Sequence, residues 1–159
     1  MHPDQQAQRD ERIRRARRED IPALLHLVGG PEAGRVRALR RLTKTLTADL
    51  YVLDRASAVQ GAVAVIYRRS LAHGGLTATI DTIAAWPHED AGERAHGDTA
   101  ALLACAIARA RRRGCVAIDT ALQRTELRGA LEAAGFIPGA LQLVLDLRAD
   151  AAAAARSPS

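Results

Sequence analysis

Aromatic side chains are almost missing from this 159-residue chain: Tyr51, Tyr67, Trp86 and Phe136 are all it has. Hydrophobic residues nevertheless make up 48% of it, so the core has to be built from Ala, Leu, Ile and Val. The stacking faces on which single strands of nucleic acid are held are lacking, and nucleic acid is not an expected partner. Lysine is scarcer still, because Lys44 is the only one and every other basic side chain is arginine. Cysteine is limited to Cys105 and Cys115, with no metal-ligand spacing around either. The five histidines are scattered away from Cys, Asp and Glu partners, so no metal site is expected. Both thiols read as buried and inert in a reducing cytoplasm, which is the expected location. No apolar run approaches the roughly eighteen residues that span a bilayer. The polar stretch Met1–Glu11 has no apolar centre and is not expected to be a secretory signal.

What is present is positive charge and a regular pattern. The formal charge is +5, carried on arginine, whose planar fork suits phosphate or carboxylate. A GC-rich coding sequence produces the same bias, and both explanations stand at this point. The length fits one domain with a core that needs no staples. We expect a disordered leader over 1–11, an α/β domain with a mixed sheet over 12–147 and a flexible Ala-rich tail over 148–159.

Arg12–Arg17 reads as a short strand with Ile13 inward. Asp20 then caps a helix that has Pro22 in its first turn and Ala23, Leu24, Leu27 and Val28 as its apolar stripe, ended by Gly29-Gly30-Pro31. Val36, Leu39, Leu42 and Leu46 recur at helical spacing in a second helix over 32–45, whose arginines form a solvated face or a substrate-facing wall. Strands follow at Leu50–Asp54 and Gln60–Tyr67, with a hairpin loop over Arg55–Gln60 between them, and a third at Leu76–Ala85 after His73-Gly74-Gly75. A helix over Thr99–Arg113, a strand over Val116–Thr120, a helix over Arg124–Ala134 and a strand pair over Phe136–Leu147 complete the pattern.

The most informative segment is Arg94-Ala95-His96-Gly97-Asp98-Thr99, read as a loop running into the Thr99 helix. A helix start has unpaired N–H donors and the positive end of the macrodipole, so it can seat a phosphate. The strand ahead of it carries Asp81, a residue type depleted from strand interiors.

In this order of elements the chain resembles the GNAT superfamily of N-acetyltransferases over about residues 12–147. The likeness rests on four segments. Ile13-Arg14-Arg15-Ala16 with Glu19–Leu25 resembles the opening strand and helix, and Ile80-Asp81-Thr82-Ile83 with Pro87 resembles the fourth strand. Arg94–Thr99 resembles the acyl-CoA loop Arg/Gln-x-x-Gly-x-Gly/Ala, and Ala130–Phe136 resembles the helix that ends in Gly-Phe. The resemblance implies a three-layer α/β fold, with a mixed, mostly antiparallel sheet flanked by about four helices. It also implies transfer of an acetyl group from acetyl-CoA, as cosubstrate and without a metal, to a primary amine on a small molecule or a protein. Many members are dimers, so a homodimer is compatible with it, and no membrane is involved.

Carried over by motif, Arg94, Ala95, His96, Gly97, Asp98, Thr99 and Ala100 would hold the CoA pyrophosphate, with Arg124 a further phosphate contact. Ile83, Ala84 and Ala85 would lie along the pantetheine arm. The two alanines can equally be core residues. Asp81 would be the base, and burial in its strand would strengthen it near neutral pH. A buried Asp paired with an Arg is the other reading of that residue.

The chain departs from the family pattern in four places. Thr99 stands where a small Gly or Ala is usual, and Asp98 puts a negative charge beside the expected phosphate unless both act as helix caps. The stretch between Pro87 and Arg94 is longer than usual. Leu131 replaces the tyrosine that protonates the leaving thiolate, and Arg124 stands where asparagine is usual. Tyr51 and Tyr67 read as core or sheet-face residues. These departures also suit a GNAT-like domain that binds CoA or a partner as a sensor or regulatory module.

Overall fold

The computed structural model describes residues 12–30, 32–86, 93–120, 125–138 and 143–146. The leader, Pro31, Pro87, the 88–92 stretch, Arg124 and the tail from 148, each given a reading above, lie outside the described residues.

One sheet runs in the order β1 (Arg12–Arg15), β2 (Ala48–Arg55), β3 (Ala58–Ser70), β4 (Gly75–Ala85), β5 (Ala117–Thr120), β7 (Leu143–Asp146), β6 (Ile137–Pro138). Every neighbouring pair is antiparallel except β4 and β5. Those two are joined by a helical crossover, the connection that parallel neighbours require. The four described α-helices are α1 (Ile21–Leu27), α2 (Ala33–Leu42), α3 (Glu93–Arg112) and α4 (Thr125–Ala133). The expected mixed, mostly antiparallel sheet with four flanking helices is what forms.

Side chains alternate across β2 and β3 with the period of two that a strand imposes. Leu50, Val52, Ala62 and Ala64 pack with Leu24 of α1 and Leu39 of α2. Tyr51, Leu53, Val63 and Val65 pack on the other face with Leu102, Leu103 and Ala106 of α3. The sheet is therefore covered on both sides, and Leu24 and Leu102 have no exposure at all. Truncating either to alanine would cost about 2–5 kcal/mol.

Several local expectations are corrected. The β2–β3 connection is the two-residue turn Ala56-Ser57, not a six-residue loop; both residues sit at positive φ (+50° and +62°), as a tight hairpin turn demands. Neither is Gly or Asn, which is why the sequence did not announce the turn. Helix α2 stops at Leu42, so Leu46 leaves the stripe and is 82% exposed. Arg37, Arg40 and Arg41 on that helix are exposed as well.

Asp20 does not cap α1. Its buried carboxylate accepts two bonds from the Arg14 guanidinium at 2.8 Å each, and the Arg17 backbone N–H at 2.6 Å. It clamps the β1–α1 corner instead.

Arg14 also donates to Asp54 at 2.7 Å. The same pairing recurs across the molecule: Asp49 with Arg113, Asp98 with Arg55 and Asp119 with Arg68, each carboxylate buried. Some of the arginine that composition left unexplained therefore compensates interior charge, which would otherwise be costly to bury. Among the described residues no helix is long and apolar enough to cross a membrane, and no group of three His, Cys, Asp or Glu could hold a metal ion.

Candidate functional site: the parting of β4 and β5

Among the described residues, the parallel pairing of β4 with β5 runs from Thr77–Ala117 to Ile80–Thr120. The buried Thr120 hydroxyl donates to the Ile80 carbonyl at 3.2 Å, closing the last rung. From Asp81 to Ala85, β4 continues on β3 alone among the described residues. A strand edge with no partner leaves N–H and C=O groups that an extended ligand can pair with.

The antiparallel register on the other side changes at the same place. Val65 faces Ile80 and Ala64 faces Thr82, so Asp81 is the extra residue of a β-bulge. A bulge leaves its extra residue outside the ladder and re-aims the side chains around it. Beyond it, Ile83, Ala84 and Ala85 face Val63, Ala62 and Gly61. Ile83 is buried, while both alanines are only partly covered. The end of β4 is pinned by Trp86, whose backbone N–H donates to Gln60 at 2.8 Å and whose indole donates to the Val59 carbonyl at 3.0 Å.

Asp81 is exposed, which corrects the expectation of a buried carboxylate: the bulge leaves it outside the β3 ladder. The Thr82 hydroxyl donates to it at 3.2 Å, and no arginine among the described residues pairs with it.

Helix α3 begins at Glu93, six residues before the expected start. Glu93, Arg94 and Ala95 are good helix formers, and an acidic first turn favours the macrodipole, so one glycine does not hold the chain in a loop. The motif Arg94–Thr99 therefore forms the first turns of α3. Arg94, Ala95 and His96 are described in backbone only.

Asp98 turns inward: it is 3% exposed and meets Arg55 at the β2–β3 hairpin at 2.7 Å. Its charge is directed into the body of the protein and is not acting as a helix cap. Gly97 and Ala100 lie on the exposed side, and an added Cβ at Gly97 would meet nothing within 4 Å. Gly61, by contrast, is required by packing, since a Cβ there would lie 3.0 Å from both the Ala84 carbonyl and Leu102.

Leu131 on α4 is 1% exposed and belongs to the core against α3. Both tyrosines lie in that same core, as expected. The Tyr67 hydroxyl donates to Asp49 at 3.0 Å, and burial beside that carboxylate pushes its pKa up. Burial likewise raises Tyr51, Cys105 and Cys115, so none of the four is primed to act as an anion.

On the α1–α2 side of the sheet, a cavity of about 290 Å³ reaches from Leu24 and Leu39 down to Asp81, Thr82 and Ala84. Sequence reasoning missed it, because its walls come from apolar stripes on two helices whose mutual placement no local pattern encodes. A wider groove of about 600 Å³ runs along α3 and α4, lined by Ala104, Ile107, Arg111 and Ala133 among others.

Solved structures with this fold include a transcriptional regulator from Bacillus halodurans C-125, with a TM-score of 0.68 and 24% identity, covering 81% of this chain and 94% of that one. A protein from Desulfovibrio desulfuricans assigned to the GNAT family of acetyltransferases aligns with a TM-score of 0.66 at 17% identity, over 86% of this chain and 98% of the other. A predicted acetyltransferase from Clostridium acetobutylicum, solved with acetyl-CoA, gives 0.66 at 15% identity, over 87% and 97%. No family model and no curated protein matches the sequence. The chain has a GNAT-like fold over most of its length.

Proposed function

We propose that this protein is an acyl-CoA-dependent N-acyltransferase that moves an acetyl group from acetyl-CoA to a primary amine by direct attack in a ternary complex. The observation that carries the reading is a coincidence at Ile80–Asp81. There the β4–β5 pairing ends among the described residues, and a bulge sets a carboxylate at the lining of a cavity. A GNAT-like neighbour solved with acetyl-CoA supports the choice of acyl donor.

The residues present fit such a donor. The edge of β4 over Ile83, Ala84 and Ala85, paired with β3 alone among the described residues, offers backbone groups and small side chains to a slim amide-bearing arm. The open face at Gly97 and Ala100 admits a phosphate close to the start of α3, with Arg94–Thr99 as its seat and Arg124 as a further contact. Acetyl-CoA would supply a thioester whose C–S bond breaks as the C–N bond forms, with one proton released overall.

Asp81 accepts that proton from the incoming ammonium, directly or through water, in the orientation that Thr82 holds. Backbone N–H groups near Ile83 polarise the reacting carbonyl. Holding donor and acceptor on one strand end supplies much of the rate. Leu131 has no proton to give, so the second proton that the nitrogen loses as the amide forms passes to solvent, and solvent returns one to the departing thiolate. The acceptor is an amine on a small molecule or a protein, and the reaction takes place in the cytoplasm.

Leu131 also favours a second reading, a domain that binds CoA or a partner and regulates without turnover. Acetyl-CoA at about 100 times its Kd would stabilise the native state by about 2.7 kcal/mol, several degrees in Tm. No stabilisation at millimolar CoA overturns both CoA-based readings. Stabilisation without thiol release for any amine selects the regulatory one.

A further inference from the structure

The wall of the 290 Å³ cavity is aliphatic, formed by Leu24 and Leu27 of α1, Leu39 and Leu42 of α2, and Leu50 of β2. Among the described residues its ionisable side chains are two, Arg35 and Asp81. Arg35 is committed to the α1–α2 turn: it donates to the Gly29 carbonyl at 2.8 Å and lies 3.5 Å from the Glu32 carboxylate. Asp81 is exposed at the strand end and among the described residues accepts only the Thr82 hydroxyl at 3.2 Å, which leaves most of its acceptor capacity available.

The cavity is therefore an apolar compartment with one uncommitted carboxylate at its rim. At about 290 Å³ it falls just below the range for small-molecule sites, about 300–1,000 Å³, too small for a folded partner or a length of peptide.

From this we infer that the acceptor is a small apolar primary amine: its ammonium meets Asp81 and its hydrocarbon part enters the cavity between α1 and α2. This rests on the acetyltransferase reading and narrows it. A second charge at the far end of the acceptor would be buried against leucine with no partner, which is strongly unfavourable. Each methylene taken from water contributes about 0.8 kcal/mol, or roughly fourfold in kcat/KM, as long as there is room.

The test follows CoA thiol release from acetyl-CoA with n-alkylamines from propyl to heptyl, α,ω-diamines of matching length and a short peptide with a free N-terminus. The melting temperature is measured in parallel with acetyl-CoA and with n-hexylamine. We expect kcat/KM to climb about fourfold per methylene and then level off, with each diamine at least tenfold below its monoamine. Ala38, a cavity-lining residue on α2, is exposed and helical, so Ala38→Leu is compatible with folding; it should move the optimum to shorter chains. Leu42→Glu, at a half-buried position, should raise diamines relative to monoamines.

A flat chain-length response, or a preference for diamines or the peptide, overturns the apolar-acceptor inference while leaving acetyl transfer in place. Stabilisation by n-hexylamine that Ala38→Leu abolishes, with no effect of acetyl-CoA, supports the cavity as an alkylamine site and overturns the transfer reading instead.

Discussion

The Thr120 hydroxyl donates to the Ile80 carbonyl at 3.2 Å, at the last rung between β4 and β5 among the described residues. One residue further along β4, Asp81 leaves the β3 ladder as a bulge. Two features thus meet at one point of β4: the end of its described pairing with β5, and a carboxylate outside the β3 ladder.

If Asp81 is the base, Asp81→Asn should lower kcat/KM by about a hundredfold or more, the usual contribution of general base catalysis. Because the side chain is exposed, Tm should hold within about a degree, and acetyl-CoA should bind as before. Steady-state kinetics beside a thermal-shift titration checks both halves. Unchanged turnover removes Asp81 from the chemistry.

Gly97 lies inside the second turn of α3 with open space where a Cβ would be. On helix energetics alone, Gly97→Ala should stabilise the free protein by about 0.4–1 kcal/mol. If a phosphate approaches that face, the same methyl group should weaken acetyl-CoA binding. A rise in Tm together with a rise in Kd is the expected signature. A rise in Tm with Kd unchanged would put the phosphate elsewhere.

Arg14 holds the Asp20 carboxyl below its ordinary value of 3.8, against the opposing effect of burial. The folded-state value is the lower one, so this stabilisation is complete above about pH 4 and is lost as pH falls through the folded value. Asp20→Asn should cost about 1.5–3 kcal/mol at neutral pH, the worth of hydrogen bonds to a charged group. In a Tm series from pH 7 to pH 2, the gap between the two proteins should close only at the acid end.

Restoring the family tyrosine should not restore an acid. Leu131 is fully buried between α4 and α3, and a larger ring with a hydroxyl overpacks that position. Leu131→Tyr should lower stability by about 1–3 kcal/mol with no gain in kcat. A higher kcat would show that a proton donor is what this protein lacks.

Much of the architecture was legible because it depends on local rules. Short apolar runs rich in β-formers at Leu50–Asp54 and Gln60–Tyr67 marked two strands, and apolar spacing marked α1, α2 and α3. Boundaries were less legible. The turn at Ala56-Ser57 adopts a backbone that its residue types do not advertise, and the start of α3 depended on how much one glycine weighs against its neighbours. Asp81 stood out as a carboxylate in a strand, yet its exposure could not be read, because a bulge is set by the register of β3 against β4.

The sequence by itself determined the strand and helix order, the aliphatic core and a chain with nearly all its basic charge on arginine, since these follow from periodicity and composition. Only the tertiary structure decided which arginines meet which aspartates, where β4 leaves β5, and that two leucine-bearing helices enclose a cavity beside Asp81. Those are relations between residues up to 64 positions apart, such as Asp49 and Arg113, and only packing of the sheet between its helices brings them together.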